Sequence, residues 1–582
     1  TGVQTCALPI CSTTAVNGIQ FTGGDYKVQS IPGANQFTVT FASNASGTGS
    51  GTGGTVTLQY DYPSGLDVYT IGTGWGAGPW GRGAWGSAYS SGIGTQLRLW
   101  SNDNFGADLV FAPRGGPIYY WQASGTYTNG VTAGLTTRAQ SLQTLSNSAV
   151  ALTTTATFLA AVSSITVASS SGIFVGSVVS GTGIQTGTTV TFVAGTSVSL
   201  SLPTTAPSAG NYTFSYAGSY VPNATNQVVS SAIQRFIIAM GANPYSPNND
   251  ATTFNPMLVR WSDQANPYQW IPTVTNQSGE YQLSNGSFIM GARTTRQEIL
   301  VWTDSALYSM QYLGAPYVWG FQILMDNISV MSPNSMITVN NITYWMGRDR
   351  FYMYSGRVEV LPCALRQYIF ADINQNQTYQ VFAGANEAFN EVWWFYCSSG
   401  STTVDKYVVY NYLDRVWYYG TMARSAWLQT GTVQYPVAAD YNGRLLYHEN
   451  GTDDNSTNVS TPIYSYVQSS DFDIGDGHNF GFVWRILPDV NFNGSTINQP
   501  EVTMTVKPRQ NSGTAYGTAD NPTVISNQNY TSVPQYTVQQ FTGQVYTRLR
   551  GRQMAFRIES TGLGVAWQLG SPRIDIRPDG RR

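Results

Sequence analysis

Charge is what this 582-residue chain has least of. Lys, Arg, Asp and Glu together make up 10% of it, against ~25% in an ordinary soluble domain. The 28 basic and 31 acidic residues leave a net charge of −3, which excludes the strongly basic footprint of a general nucleic-acid binder. Histidine is nearly absent. His448 and His478 lie in different segments, so no multi-His metal site can be assembled and a Ser/His/Asp arrangement has little material. The four cysteines, Cys6, Cys11, Cys363 and Cys397, include no C-x-x-C pair, which removes a zinc site and a dense disulfide framework. No apolar run approaches the ~18 residues of a membrane-spanning helix. Lysine is confined to Lys27, Lys406 and Lys507, so nearly all basic charge is Arg, the cation favoured at interfaces and on aromatic rings.

What the chain has in quantity is glycine, 60 residues, and aromatics, with 16 Trp, 37 Tyr and 24 Phe. A disordered chain lacks such aromatics, so most of the length must fold. Gly, Ser, Thr and Asn between aromatic runs describe an all-β protein with many turns, and the length fits about three to four domains. Residues 1–10, Thr-Gly-Val-Gln-Thr-Cys-Ala-Leu-Pro-Ile, match the translation of a common sequencing-library adapter. They are expected not to be biological, which removes Cys6 and displaces the true N-terminus.

One unit recurs: a short aromatic strand, a polar turn, and a second strand. Ile342–Gly347, the turn Arg348-Asp349 and Arg350–Tyr354 show it, as do Glu298–Asp304 with Ala306–Tyr312. Asp440–Tyr447 adds an Asn-Gly hairpin signal. Trp261 to Trp302 is 41 residues, Trp302 to Trp345 is 43, Trp345 to Trp394 is 49 and Trp394 to Tyr441 is 47. That period predicts propeller blades, because a small sheet cannot cover both its faces alone and radial stacking covers them. Phe236–Met240 reads as a buried strand. The predicted organisation is an inserted β module at 16–60, a first propeller segment at 61–150, and an inserted β-sandwich module at 151–217. The main blades follow at 218–450 and a C-terminal β-sandwich at 451–582.

Motifs for chemistry are weak. Asp471-Phe-Asp473-Ile-Gly-Asp476 clusters oxygen ligands, yet it misses the calcium-loop frame and reads as an acidic strand-to-turn passage. Gly72–Gly78 resembles a phosphate loop only superficially, since no following helix supplies an N–H cradle, and its continuation Pro79–Gly86 reads as aromatics packed against glycine backbone in a loop. Trp261-Ser-Asp-Gln-Ala-Asn-Pro-Tyr-Gln-Trp270 is close to a sialidase Asp-box but lacks its glycine. No carboxylate pair for glycoside hydrolysis stands out, so the chain is expected to carry no catalytic, cofactor or metal site. Residues 548–582 hold eight Arg against Glu559, Asp575 and Asp579, a local +5. Arg548, Arg550, Arg552, Arg557, Arg573 and Arg577 are the candidate interface residues, since several sit in alternating strands and not in a flexible arm. A phosphate track is the competing reading.

The run Trp261-Ser-Asp…Asn266-Pro…Trp270, then Glu298–Tyr308, then Tyr344-Trp-Met-Gly-Arg-Asp-Arg-Phe-Tyr352, resembles the tail nozzle proteins of short-tailed bacteriophages. Gly72–Gly86 and the ending Pro572–Arg582 share the likeness, which covers roughly 60–580. The resemblance implies a virion structural protein at the tail tip. It implies a homohexameric ring, a central channel for genome ejection, and contacts with tail adaptor proteins, tail fibres, transient double-stranded DNA and the host outer surface. The alternative class is a glycan-binding β-propeller adhesin or receptor-binding protein, with exposed Trp and Tyr stacking on sugars.

Overall fold

The computed structural model describes residues 97–581 apart from 150–151, 171–172, 174–176, 217–220, 246–252, 273–275, 430, 432, 458, 474–476, 515, 519–520 and 523–532, and, ahead of these, 17, 19, 28–33, 36–41 and 44–49. The expected adapter-derived segment 1–10 with Cys6, and Cys11, lie outside the described residues. So do most of 16–60, all of 61–96 with Gly72–Gly86, and Asp476.

Strands whose residues are apolar on both faces need cover on both sides, and the first unit, residues 1–445, provides it. Five four-stranded antiparallel sheets follow one another along the chain. They run from Trp100–Phe105 to Gln140–Ser141, from Thr225–Ser231 to Gly279–Gln282, from Ile289–Thr294 to Trp319–Asp326, from Met336–Val339 to Val358–Leu361, and from Phe382–Asn386 to Val416–Thr421. A sixth opens with Ala426–Leu428 paired to Val437–Ala439. These are blades one to six of an all-β propeller.

The second strand of each blade shows why they stack. In Phe236–Ala242 of blade two, Ile237 and Ala239 join Phe105, Val110 and Tyr120 of blade one. Phe236, Ile238 and Met240 of the same strand join Ile299, Val301 and Met310 of blade three. Leu300 and Trp302 of blade three then meet Trp345 of blade four. Met346 and Phe351 pack with Val392 and Trp394 of blade five, and Trp393 and Phe395 with Trp427 of blade six. Period-two alternation thus feeds an apolar layer into each gap, and each large side chain buried there contributes about 1.5–3 kcal/mol. The Trp302 and Trp345 rings meet edge-on, 5.3 Å apart.

Trp302, Trp345 and Trp394 all lie in second strands, whereas Trp261 lies in the third strand of blade two and Tyr441 lies beyond Val437–Ala439. The first and last intervals of the aromatic period are therefore not blade-to-blade distances. An aromatic fills a layer from whichever central strand faces it. Two short helices, Leu142–Ala149 and Arg366–Asp372, interrupt the strands, with Leu142, Leu145 and Ile369 buried against the blades.

Between blades one and two, residues 152–216 form a six-stranded curled sheet with its own core of Ile165, Val179, Val198, Tyr212 and Phe214. Its end strands, Ser177–Ser180 and Val190–Ala194, approach each other at the Val178–Thr189 bridge, so the two halves of the sheet face each other. The second unit, residues 446–582, is a sandwich. One sheet orders Ser465–Gln468, Gln553–Ser560, Glu501–Arg509 and Gln535–Gln539, with Phe472–Asp473 also on Gln553–Ser560. The other orders Val545–Gly551, Gly481–Leu487 and Arg573–Pro578. Val483, Ile486 and Leu549 from the second sheet meet Met504, Val506 and Ile558 from the first.

Candidate functional site

The sandwich has two outward sheet faces, and arginine occupies both. In Val545–Gly551 the buried residues are Val545, Thr547 and Leu549, so Tyr546, Arg548 and Arg550 point outward. Register sets Arg550 and Arg577 on either side of Phe482, Tyr546 and Asp575 on either side of Arg485, and Arg573 beside Leu487. Four of the six sequence-predicted arginines, Arg548, Arg550, Arg573 and Arg577, therefore share one face with Arg485.

That face is held by stacking as much as by ion pairs. Arg485 donates from Nε to Asp575 Oδ2 at 2.6 Å and lies 4.7 Å from the Trp484 ring centre, with Arg577 at 5.1 Å from the same ring. Arg550 donates to Asp579 Oδ2 at 2.6 Å and sits 4.2 Å over Phe480. Arg552, on the turn that follows, lies 4.8 Å over Phe480 and donates to Asn511 Oδ1 and the Arg581 carbonyl. Arg548, Arg573 and Arg577 have no carboxylate partner among the described residues. A guanidinium cannot shed its charge, so these three require water or an external anion.

Arg557 stands apart, on the other sheet. Its Nε donates to Glu559 Oε2 at 2.8 Å, its Nη2 donates to the Tyr464 hydroxyl, and its guanidinium stacks 3.9 Å over Tyr466. The Tyr464 hydroxyl in turn donates to Glu559 Oε2 at 2.8 Å. On the neighbouring strand Lys507 is only 2% exposed, and its ammonium donates to Gln468 Oε1 at 2.8 Å. Burial pushes the Lys507 ammonium below its ordinary value, and Arg557 acts in the same direction. A cavity of about 270 Å³ opens here, lined by Tyr464, Thr505, Lys507, Gln535, Arg557 and Glu559. Arg485 and Lys507 are the basic residues that sequence reasoning missed. Lys507 carried a signal, a rare lysine inside an apolar strand.

In the first unit, the inner strands of blades one to four line a cavity of about 830 Å³ that includes Asp103, Gln227, Arg293, Arg296 and Asn334. Asp103 accepts the Ser230 and Asn104 backbone N–H groups at 2.8 and 2.9 Å. Burial raises its carboxyl above the usual range, and those two bonds and Arg293 oppose the rise. Burial lowers the Arg293 guanidinium. An adjoining cavity of about 380 Å³ holds Glu298, which accepts from Tyr354 at 2.7 Å, from Gln311 at 3.2 Å and from Ser309.

The remaining sequence candidates are structural. Asp471 accepts from Arg509 Nη1 at 2.6 Å and from the Tyr516 hydroxyl at 2.9 Å. Cys397 is buried in the layer between blades five and six, and burial pushes its thiol up to about 12, the opposite of a nucleophile. Among the described residues no group of three or more His, Cys, Asp or Glu converges as a metal site would require. Asp263 of the Asp-box-like run accepts the Gln277 N–H at 2.8 Å in a turn beside Trp261.

No family model matches the chain and no curated protein matches it in sequence. Solved structures do match. A Bacteroides fragilis protein described as exported is 10% identical over 38% of this chain and 68% of its own, with a TM-score of 0.21. The endosialidase of phage phi92 is 11% identical over 62% of this chain, which spans 64% of the enzyme, under two thirds, at a TM-score of 0.21. An exo-β-1,3-galactanase of Phanerochaete chrysosporium is 10% identical over 84% of this chain and 99% of its own, at 0.16. Function therefore has to be argued from this chain's own residues.

Proposed function

We propose that the protein is a virion structural protein, a subunit of the tail nozzle of a short-tailed bacteriophage. In this reading six copies form a ring at the tail tip around the path of genome ejection. The observation that carries it is the arginine face: Arg548, Arg573 and Arg577, which have no carboxylate partner among the described residues, project from strands of the sandwich. Fixed guanidinium groups in one plane suit carboxylates presented by a neighbouring subunit or a tail adaptor. Tail fibres and the host outer surface are the partners at the rim, and double-stranded DNA passes transiently. The chain's net charge of −3 suits a conduit, because a strongly basic lumen would hold the phosphate backbone. The protein is read as non-catalytic: Asp103 and Glu298, the carboxylates at the two propeller cavities, are already committed to several donors.

Electron microscopy of the purified protein should show rings. The Arg548→Ala/Arg573→Ala/Arg577→Ala variant should remain folded and lose assembly or adaptor binding, with its weak DNA affinity unchanged. Persistent assembly with a collapse of DNA binding, and a salt slope reduced by about 0.9 per lost phosphate contact, would make the face a phosphate track. Reproducible polysaccharide hydrolysis abolished by one Asp or Glu substitution would end the non-catalytic reading.

A further inference from the structure

We infer that the cavity at the inner strands of blades one to four binds a neutral, hydroxyl-rich ligand, a short oligosaccharide. It lies wholly within the propeller unit, so the inference is independent of the nozzle reading. Charge balance selects the ligand class. The cavity of about 830 Å³ carries Arg293, Arg296 and Asp103. The adjoining one of about 380 Å³ shares Thr295, Asn340 and Asn341 with it and carries Glu298. Two guanidinium groups are thus matched by two carboxylates, and Asp103 and Arg293 already act on each other's charge. An ionic ligand of either sign would meet as many like charges as opposite ones. A sugar hydroxyl, donor and acceptor at once, is served by both.

Amides and one indole point to a sugar among neutral ligands. Asn102, Asn334 and Asn341 line the cavity and are exposed, and their side-chain amides have no hydrogen-bond partner among the described residues. Each brings a donor pair and an acceptor that vicinal hydroxyls can meet. Rigid turns hold the polar groups in place. Asn340 and Asn341 link Met336–Val339 to Ile342–Met346 in two residues, both left-handed at φ 49° and 64°, the geometry of a tight hairpin. Arg296 sits in the turn that Thr295 closes by donating to the Glu298 carbonyl, from its N–H at 2.9 Å and its hydroxyl at 2.7 Å. Trp100, on the inner strand of blade one, is 38% exposed and lines the same cavity, an indole surface for the apolar side of a pyranose. At about 830 Å³ the cavity falls within the ~300–1,000 Å³ of small-molecule sites, and its neighbour extends it.

The test titrates the full chain with maltotetraose, cellotetraose and trigalacturonate, read by saturation-transfer NMR and calorimetry. At least one neutral tetraose should bind, with an affinity that salt leaves unchanged. Trp100→Ala should weaken that binding at least about tenfold, the loss of a stacked ring. Asn341→Gly keeps the left-handed backbone and removes only the amide, so a loss of about three- to tenfold is expected. Failure of both neutral tetraoses to bind the native chain overturns the proposal, whether or not Trp100→Ala folds. Undiminished binding by a folded Asn341→Gly also overturns it, because the sugar would then sit elsewhere. Tighter binding of trigalacturonate that fades with salt would make the cavity an anion site and overturn it as well. Ring formation in electron micrographs is a separate readout, so the nozzle reading stands or falls apart from these results.

Discussion

Arginine does opposite work in the two units. At Arg260 and Arg114 of the propeller it is internal cement, although Arg357 of the same unit stays exposed. Arg260 is 1% exposed, donates to the Asn243 and Trp270 carbonyls at 3.0 and 3.3 Å, and lies 3.6 Å from Glu280. Burial pushes its guanidinium down to about 10, with Glu280 opposing. Arg114, on the loop after the second strand of blade one, donates to Asn226 of blade two and to Ile289 and Met290 of blade three, at 3.0–3.3 Å. A planar fork of donors is the one side chain that can satisfy several carbonyls where strand ends converge. In the sandwich the same side chain lies outside, flat on Trp484, Phe480 and Tyr466. A bias toward Arg in composition is therefore two signals, and only the partners separate them.

The contrast breaks most visibly at Arg260. Arg260→Ala should cost about 3–5 kcal/mol, because it strands two buried carbonyls and removes the partner of Glu280. Arg573→Ala, on the exposed sandwich face, should change monomer stability by less than about 0.5 kcal/mol. Denaturant melts of the two variants side by side check this, and similar losses would abolish the distinction. Arg114→Lys is the next step down. It keeps the charge but replaces a fork bridging three carbonyls with a point donor, so a loss of about 1–2 kcal/mol is expected. A neutral Arg114→Lys would mean the blades do not depend on that bridge.

Much of this was legible in the sequence where a period of two held. Continuous apolar runs such as Ile299-Leu-Val-Trp302 and Val392-Trp-Trp-Phe-Tyr396 are apolar on both faces because both are covered, and they sit at the centres of blades. The alternation of Arg573, Asp575 and Arg577 with Ile574 and Ile576 announces one outward face. What alternation cannot say is which sheet a strand joins, so Arg557 looked equivalent to Arg548 and is not. Arg485 escaped because the register shifts between Val483 and Arg485, which puts Trp484 and Arg485 both partly outside. The propeller cavity required Asp103, Gln227 and Arg293 to be brought together from three blades, which no local pattern encodes.

Lys507 gives the smallest expected effect and the finest edge of the comparison, because it is the sandwich cation that is buried like a propeller arginine. Unlike arginine, lysine can lose its proton when buried. Its ammonium is held below the ordinary value of 10.5, first by burial and then by Arg557. A lowered pKa in the fold means the unfolded chain binds the proton more tightly, so the charged form weakens the fold at neutral pH. That penalty is present in full below the lowered pKa and is relieved as pH rises from there toward 10.5. Lys507→Met lacks the titrating group. Its melting temperature relative to the native chain should therefore stand highest at neutral pH and decline as pH climbs through that alkaline window. Paired thermal melts between pH 7 and about 10.5 read the difference directly. A flat difference would show that Lys507 keeps its proton as readily in the fold as in the unfolded chain, and its burial would then be no analogue of Arg260.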